Sequence, residues 1–330
     1  MNKDKTKIGF FIRHFTECGT EVSIYDYADH NETILGNESV ILSFTKEAHA
    51  LYGKPYNESV FEKFNKRFKV IQANNFDEIR NIVDREKINV YYTQVWGIPE
   101  EHPYGDINNT KYFVHCVFDA VAPRGDIYVP ISDQINKKNN TNFTVLPYMV
   151  RVGTNAENLR TQLNIPKDAI VFGRHGGTTS FDIPIAREAV AEVARNNKHI
   201  YFIFLNTPAF CEPLPNVIHL PCEVDIEKKR TFINTCDAMI HGRTHGETFG
   251  LAIGEFAMCL KPVICCNQFL DWAHLDILGD KAVIYNSKDE LVNILTNFEP
   301  KKYDMTDNGY TKYTPEYVMS IFKALINKVV

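Results

Sequence analysis

His241-Gly242-Arg243-Thr244-His245-Gly246-Glu247-Thr248-Phe249-Gly250-Leu251-Ala252-Ile253-Gly254-Glu255 is the stretch on which the reading of this chain turns. A short apolar run, 238–240, precedes it, and a helical apolar pattern over 249–260 begins inside it. A strand that passes into a helix through glycines leaves the first N–H groups of that helix pointing outward. The amides of Thr248, Phe249, Gly250 and Leu251 are therefore expected to form an anion site that suits a diphosphate. Gly246 and Gly250 let the backbone approach such a ligand closely. Glu247 and Glu255 stand eight residues apart, one before the helix and one about two turns into it. Each carboxylate can accept two hydrogen bonds at once, which suits the hydroxyls of a sugar and of a ribose. The plain alternatives are a capping carboxylate for Glu247 and a solvated helix residue for Glu255. For Gly254, tight packing is the preferred reading.

Working outward, the second half alternates strands and helices. Residues 170–173, 201–205, 217–220, 238–240 and 262–265 read as strands. Residues 183–196, 225–236, 249–260, 289–298 and 315–329 read as helices, the first with Ala186, Ala189, Val190 and Val193 on one face. The first half repeats the logic. Strands are expected at 8–12, 39–44, 68–72, 90–93, 112–117 and 127–129. A helix is expected at 76–86, with Asp77 as its cap or first-turn charge. Strands separated by helices argue for parallel, doubly wound sheets. The polar stretch 151–166 marks the boundary between an N-terminal domain, 1–150, and a C-terminal domain, 151–314. The fold class is thus α/β, with two Rossmann-like doubly wound domains facing a cleft. Ligands are expected at the carboxyl ends of the strands.

Composition narrows the function classes. The chain has 330 residues, of which 44% are hydrophobic and 23% charged, which excludes bulk disorder. A net charge of −5 argues against a general nucleic-acid partner. No apolar run approaches the roughly 20 residues needed to cross a bilayer. No basic amphipathic helix claims a membrane surface. The apolar stretch 8–12 is too short for a signal sequence and reads as the first strand. Eight cysteines without a C-x-x-C pair fit a reducing, cytoplasmic setting. His241 and His245 have H-x-x-x-H spacing, but Gly242 lies between them in a loop and no third ligand is evident. No metal site is expected there.

The 241–255 segment resembles the E-x7-E signature of retaining glycosyltransferases of the GT-B fold, glycosyltransferase family 4 (group 1). The resemblance extends to most of the second half. Leu159-Arg160-Thr161-Gln162-Leu163-Asn164-Ile165-Pro166-Lys167-Asp168 followed by Val171-Phe172-Gly173-Arg174 is similar to that family's entry to its donor domain. Thr144-Val145-Leu146-Pro147-Tyr148-Met149-Val150 is similar to the strand and turn before it, and residues 217–222 and 238–255 match in order and spacing. His274-Leu275-Asp276-Ile277-Leu278-Gly279, leading to Tyr285-Asn286, is similar as well.

The resemblance implies that Glu247 holds hydroxyls of the donor sugar and Glu255 the nucleotide ribose. It implies that the amides of Thr248, Phe249, Gly250 and Leu251 cradle the diphosphate. Arg174 falls where the family places a phosphate-binding arginine. The family's lysine a few residues on is missing, and Arg243 is the candidate for that second charge. His115, with Asp119 four residues on, falls where the family often has a histidine near the anomeric centre. Gly19 and Thr20 lie in the loop after the first strand, where the family has a glycine-rich loop under the donor phosphates; only one glycine stands here. The base is expected to be read near Pro221-Cys222-Glu223. Acceptor loops are expected at 18–37 and 96–109, with Tyr25, Tyr27, Trp96 and Tyr104 as candidate stacking residues. The last helix is expected to pack back onto the first domain.

The resulting expectation is a glycosyltransferase that moves a sugar from a GDP- or UDP-sugar donor to a glycan or other hydroxyl acceptor. No cofactor is expected. No D-x-D triplet occurs, which argues against the metal-dependent GT-A class. The alternatives are a GT-B nucleotide-sugar epimerase or phosphorylase, and a non-catalytic nucleotide-sugar-binding scaffold. A nicotinamide dehydrogenase is disfavoured because no G-x-G-x-x-G follows a strand.

Overall fold

A computed structural model describes residues 5–51, 56–99, 110–267 and 270–330. The chain forms two compact units. Unit 1 is Met1–Met149 with Tyr313–Val330, and unit 2 is Val150–Lys312.

Unit 1 contains, in chain order, β1 (Lys7–Ile12), α1 (Gly19–Thr33), β2 (Glu38–Phe44), α2 (Lys46–Leu51), α3 (Glu58–Arg67), β3 (Lys69–Ala73), α4 (Phe76–Arg85), β4 (Val90–Val95), β5 (Lys111–Cys116), β6 (Ile127–Pro130) and α5 (Asp133–Asn139). Its six strands pair in the order β3-β2-β1-β4-β5-β6, every pair parallel. The sequence of β1, KIGFFI, is an unbroken apolar run after its first residue, as a parallel strand covered on both faces must be. One face is covered by α4, whose Ile79, Ile82 and Val83 join Phe11, Val40 and Leu42 in a core. Asn75, not Asp77, caps that helix, accepting from the Glu78 amide at 2.9 Å; Asp77 instead pairs with Arg80. The other face is covered by the chain's last helix, given below.

Unit 2 contains β7 (Ile170–Arg174), α6 (Pro184–Asn196), β8 (Ile200–Leu205), β9 (Val217–Leu220), α7 (Ile226–Thr235), β10 (Ala238–Ile240), β11 (Gly246–Glu247), α8 (Leu251–Met258), β12 (Val263–Cys266), β13 (Asp271–Trp272), α9 (Ala273–Leu278), β14 (Ala282–Tyr285) and α10 (Lys288–Thr296). The helix α11 (Pro315–Ile326) closes the chain and belongs to unit 1. Its Phe322 ring lies 5.4 Å from Phe113, 5.3 Å from Tyr27 and 6.4 Å from Phe10. No helix among the described residues is long and apolar enough to cross a membrane.

The main sheet of unit 2 runs β9-β8-β7-β10-β12-β14, again wholly parallel. Counted within the unit, that is the strand order of unit 1. In both units the order reverses between the first and fourth strands, which opens a crevice at their carboxyl ends. In unit 2 those strands are β7 and β10, so Arg174 and the 241–243 turn arrive at the crevice together. A separate parallel pair, β11 and β13, joins Gly246 to Asp271 and Glu247 to Trp272. The α/β, doubly wound reading of the sequence therefore holds in both halves.

One expectation about unit 1 is corrected. Residues 18–37 are not a loop: most of them form α1, and Gly19 and Thr20 are its first residues. Of the other expected acceptor segment, Trp96 is described, while Tyr104 and residues 100–109 lie outside the described residues.

Candidate active site

The crevice of unit 2 gathers charge. Arg174 ends β7 and is buried. Its guanidinium donates to Thr207 Oγ1 and Ser180 Oγ, each at 2.5 Å, and to the Gly177 carbonyl at 3.1 Å. Burial pulls its pKa down to about 10, and the Glu247 carboxylate works against that fall, so the group is a cation at neutral pH. The 242–244 turn is stitched to the segment after β7. Asp182 and Ile183 donate their amides to the Gly242 carbonyl at 2.8 and 3.0 Å, and the Asp182 carboxylate accepts from the Thr244 amide at 2.7 Å. Gly242 suits this contact because a Cβ there would meet the Phe181 ring at 2.5 Å.

Glu247, on β11, is half-buried. One oxygen accepts from Arg243 at 2.9 Å and the other lies 3.3 Å from His241 Nε2. Burial alone would raise its pKa, but the His241 hydrogen bond and the Arg243 charge hold it at about 2. Gly246 and Gly250 flank this segment with φ of +76° and +86°, the left-handed region that glycine enters without strain. Gly250 is the N-cap of α8 and has no side chain with which to cap its first turn. Thr248 and Phe249 are buried, with the Phe249 carbonyl accepting from Tyr310 at 2.5 Å; Leu251 is half-buried. Gly254 is a packing glycine, since a Cβ there would meet Tyr310 and Val150 at 2.8 Å.

Glu255 sits on the inner face of α8 and is almost wholly buried. Lys229 of α7 reaches Oε1 at 2.5 Å and His175 Nε2 reaches Oε2 at 2.9 Å. Burial opposes its ionisation, and the Lys229 charge with the His175 ring overcomes that to hold it at about 2. Sequence reasoning missed Lys229. It stands in the run Lys228-Lys229-Arg230, which reads as a solvated helix face. Only the packing of α7 beside α8 turns one of those lysines inward. Cys222 is exposed just beyond β9. Glu223 beside it turns its carboxylate to the Val224 and Asp225 amides.

The remaining sequence-derived residues belong to unit 1. Thr20 donates to Glu21 Oε2 at 2.8 Å, and Thr16 donates to the same oxygen at 2.9 Å. His14 meets the other oxygen at 2.7 Å, a pairing the sequence reading missed. His115 lies next to the last residue of β5, with no exposed surface. Its Nδ1 is 2.6 Å from the Tyr92 hydroxyl and its Nε2 is 2.8 Å from the Leu146 carbonyl. Burial lowers its pKa to about 3, so the ring is neutral and committed to the core on both nitrogens.

The structure thus brings Arg174, Arg243, Glu247, Thr248, Phe249, Gly250, Leu251 and Glu255 into one region of unit 2. It leaves Gly19, Thr20 and His115 on unit 1 and Cys222 beyond β9. Comparison with known proteins agrees with the architecture. No protein-family model matches the sequence, and no curated protein sequence matches it. Among solved structures, the chain is similar to a glycosyltransferase from Rickettsia africae, with a TM-score of 0.71 at 13% identity over 99% of both chains. It is similar to HepE of Anabaena, solved with UDP and glucose, at TM-score 0.67 and 14% identity, over 98% of this chain and 100% of that one. It is also similar to a structure described as a putative UDP-N-acetylglucosamine 2-epimerase from Listeria monocytogenes, at TM-score 0.59 and 12% identity, over 97% and 95% of the two chains. At such identities the likeness speaks for the fold, and the fold of this chain is GT-B.

Proposed function

We propose that this protein is a retaining glycosyltransferase that moves a sugar from a GDP- or UDP-sugar to a glycan or other hydroxyl acceptor. The observation that carries the reading is the meeting, at the switch point of unit 2, of two arginines, an ionised Glu247 and the uncapped first turn of α8. A nucleoside diphosphate must leave while positive charge builds at the anomeric carbon. Arg174 and Arg243, with the amides of Thr248 to Leu251, stabilise the departing phosphates without a metal at that step. Arg174 is held in place by Thr207, Ser180 and Gly177 before any ligand arrives, so little reorganisation is needed. Glu247 receives sugar hydroxyls on the lone pairs that Arg243 and His241 leave over. Glu255 receives the ribose, with Lys229 and His175 fixing its orientation, and the base lies toward Cys222. Unit 1 is proposed to bind the acceptor.

A second reading is a nucleotide-sugar epimerase, favoured by the likeness to the structure described as a putative 2-epimerase. The two differ in what leaves the enzyme. The test is a thermal-shift panel of GDP, UDP, ADP, their sugar conjugates and NAD, with and without Mg²⁺, followed by turnover of the ligand that binds. A ligand that binds only the folded chain raises its stability by mass action. The expected result is an upshift with one nucleoside diphosphate, the same with and without Mg²⁺. Acceptor-dependent release of that nucleotide should follow, with the anomeric configuration kept in the product. Release without acceptor points to the epimerase, and an upshift with NAD alone overturns both.

A further inference from the structure

Beneath Glu247, three side chains outside the proposed donor contacts converge. His241 follows β10, Cys265 lies in β12, and His274 is in the first turn of α9. The sheet explains the first two. Met239 pairs with Val263 and Ile240 with Ile264, so the next positions, His241 and Cys265, are neighbours across adjacent parallel strands. Registered neighbours project to the same face. The third arrives because the β11–β13 pairing draws residues 271–272 beside 246–247 and starts α9 directly after them. One donor atom from each of the three lies within 4.8 Å of the other two, and all three residues are buried.

We propose that His241, Cys265 and His274 form a binding site for one Zn²⁺ ion that ties the Glu247 loop to the end of the sheet. The donor set decides the metal. Two imidazoles and a thiolate suit a borderline-soft ion such as Zn²⁺, and Mg²⁺ or Ca²⁺ would demand oxygens instead. Bond lengths of about 2.0–2.3 Å require the three donors to draw together by about 1 Å from the widest spacing seen, which side-chain rotation supplies. The surroundings carry a second mark of a metal site. Ligating histidines usually give their other ring N–H to a carboxylate or a main-chain carbonyl, which fixes tautomer and orientation. His241 Nε2 faces the Glu247 carboxylate at 3.3 Å, and the His274 ring lies beside that of His241, with centroids 4.9 Å apart. Glu247 thus orients the His241 imidazole. The three side chains leave a fourth tetrahedral position, and the site stands on their convergence alone, so it holds whether or not the transfer reading survives.

The test is Co²⁺ titration of the full chain after chelation, followed by absorption spectroscopy, with Zn²⁺ competition. The expected result is one equivalent bound, a thiolate-to-cobalt charge-transfer band and tetrahedral d–d bands, all displaced by Zn²⁺. Cys265→Ser should lose the thiolate band, and His274→Gln should weaken binding at least tenfold. The double variant Cys18→Ser, Cys222→Ser, which removes the two exposed thiols, should keep the spectrum. If chelated wild type, folded by circular dichroism, takes up no Co²⁺ with a thiolate band, the site does not exist. It is equally overturned if the band survives in Cys265→Ser or vanishes with the exposed thiols. Should Cys265→Ser fail to fold, the wild-type titration and His274→Gln decide between the two results.

Discussion

Unit 1 and unit 2 reverse their strand order at the same place, yet they fill the strand ends in opposite ways. In unit 2, buried or half-buried charges meet: Arg174, Arg243, Glu247, Lys229 and Glu255. In unit 1, the ends of β4 and β5 hold a closed, uncharged network. Gln94 donates to Ser23 at 2.6 Å and Tyr92 at 3.0 Å, and accepts from Tyr148 at 2.9 Å. Tyr92 meets His115, His115 meets the Leu146 carbonyl, and Tyr27 donates to the Pro147 carbonyl at 2.6 Å. A satisfied network of this kind specifies packing and presents little to a ligand. Clustered charge held by prior contacts is costly to bury and suits a charged ligand. One topology therefore carries a closed neutral network at the ends of β4 and β5 and a cluster of buried charge at the ends of β7 and β10.

The sharpest way to break this contrast is to compare the consequences of one substitution in each unit. Glu247→Gln should keep the fold, read by circular dichroism, and lower transfer by about 10²–10³-fold, the scale on which removing one preorganised polar contact acts. Near-normal turnover would remove Glu247 from the chemistry. Acid titration gives the next largest effect. The folded pKa of Glu255, about 2, lies below its ordinary 4.5, so it contributes stability above about pH 4.5 that is lost as pH falls toward 2. That contribution is at most ~3 kcal/mol at one pKa unit per 1.36 kcal/mol. Chemical denaturation at pH 7 and pH 3 should show a steeper loss for wild type than for Glu255→Gln. Equal losses would mean that the Lys229 pairing adds nothing to stability.

His115→Phe is the counterpart in unit 1. It strands the Leu146 carbonyl and leaves the Tyr92 hydroxyl with only its bond from Gln94, at a cost of about 2 kcal/mol. Nucleotide binding to the folded fraction should stay unchanged. A variant of normal stability that has lost turnover would restore His115 to the reaction and take it out of the scaffold.

What the sequence disclosed follows the same contrast. Strands of a doubly covered sheet are apolar throughout, and amphipathic α4 and α6 carry a clear stripe, so both were readable from residue type. Helix α1 was not, because its buried positions include Glu21, Ser23, Asp26 and Asn31, and polar partners such as Thr16 and Ser39 satisfy them. No apolar periodicity marks such a helix. The surroundings of His115 were hidden for a related reason. A histidine looks the same in a string of letters whether its nitrogens face solvent or two internal partners. The 241–255 stretch stands out in the sequence because it sets glycines and two carboxylates at fixed positions in a strand-to-helix turn. Its supports, Lys229 and His175, come from elsewhere in the chain and have no spacing of their own.

Arg243 offers the finest discrimination. It ends in a half-buried side chain paired with Glu247, so two roles are open to its charge: to steady that carboxylate, or to meet the donor phosphates. The roles differ in what a truncation does to ligands of different length. If the guanidinium meets phosphate, Arg243→Ala should weaken a nucleoside diphosphate by about tenfold, the value of one or two charge-assisted hydrogen bonds partly screened by solvent, and leave the bare nucleoside unchanged. If it only steadies Glu247, the diphosphate and the nucleoside should bind as before, and the loss should appear only with the sugar conjugate. Calorimetric titration of the three ligands against wild type and Arg243→Ala separates these patterns. Equal weakening of all three would instead mean that the substitution has disturbed the 241–247 turn itself, and the arginine would then belong with the scaffold of unit 2 and not with its receptor.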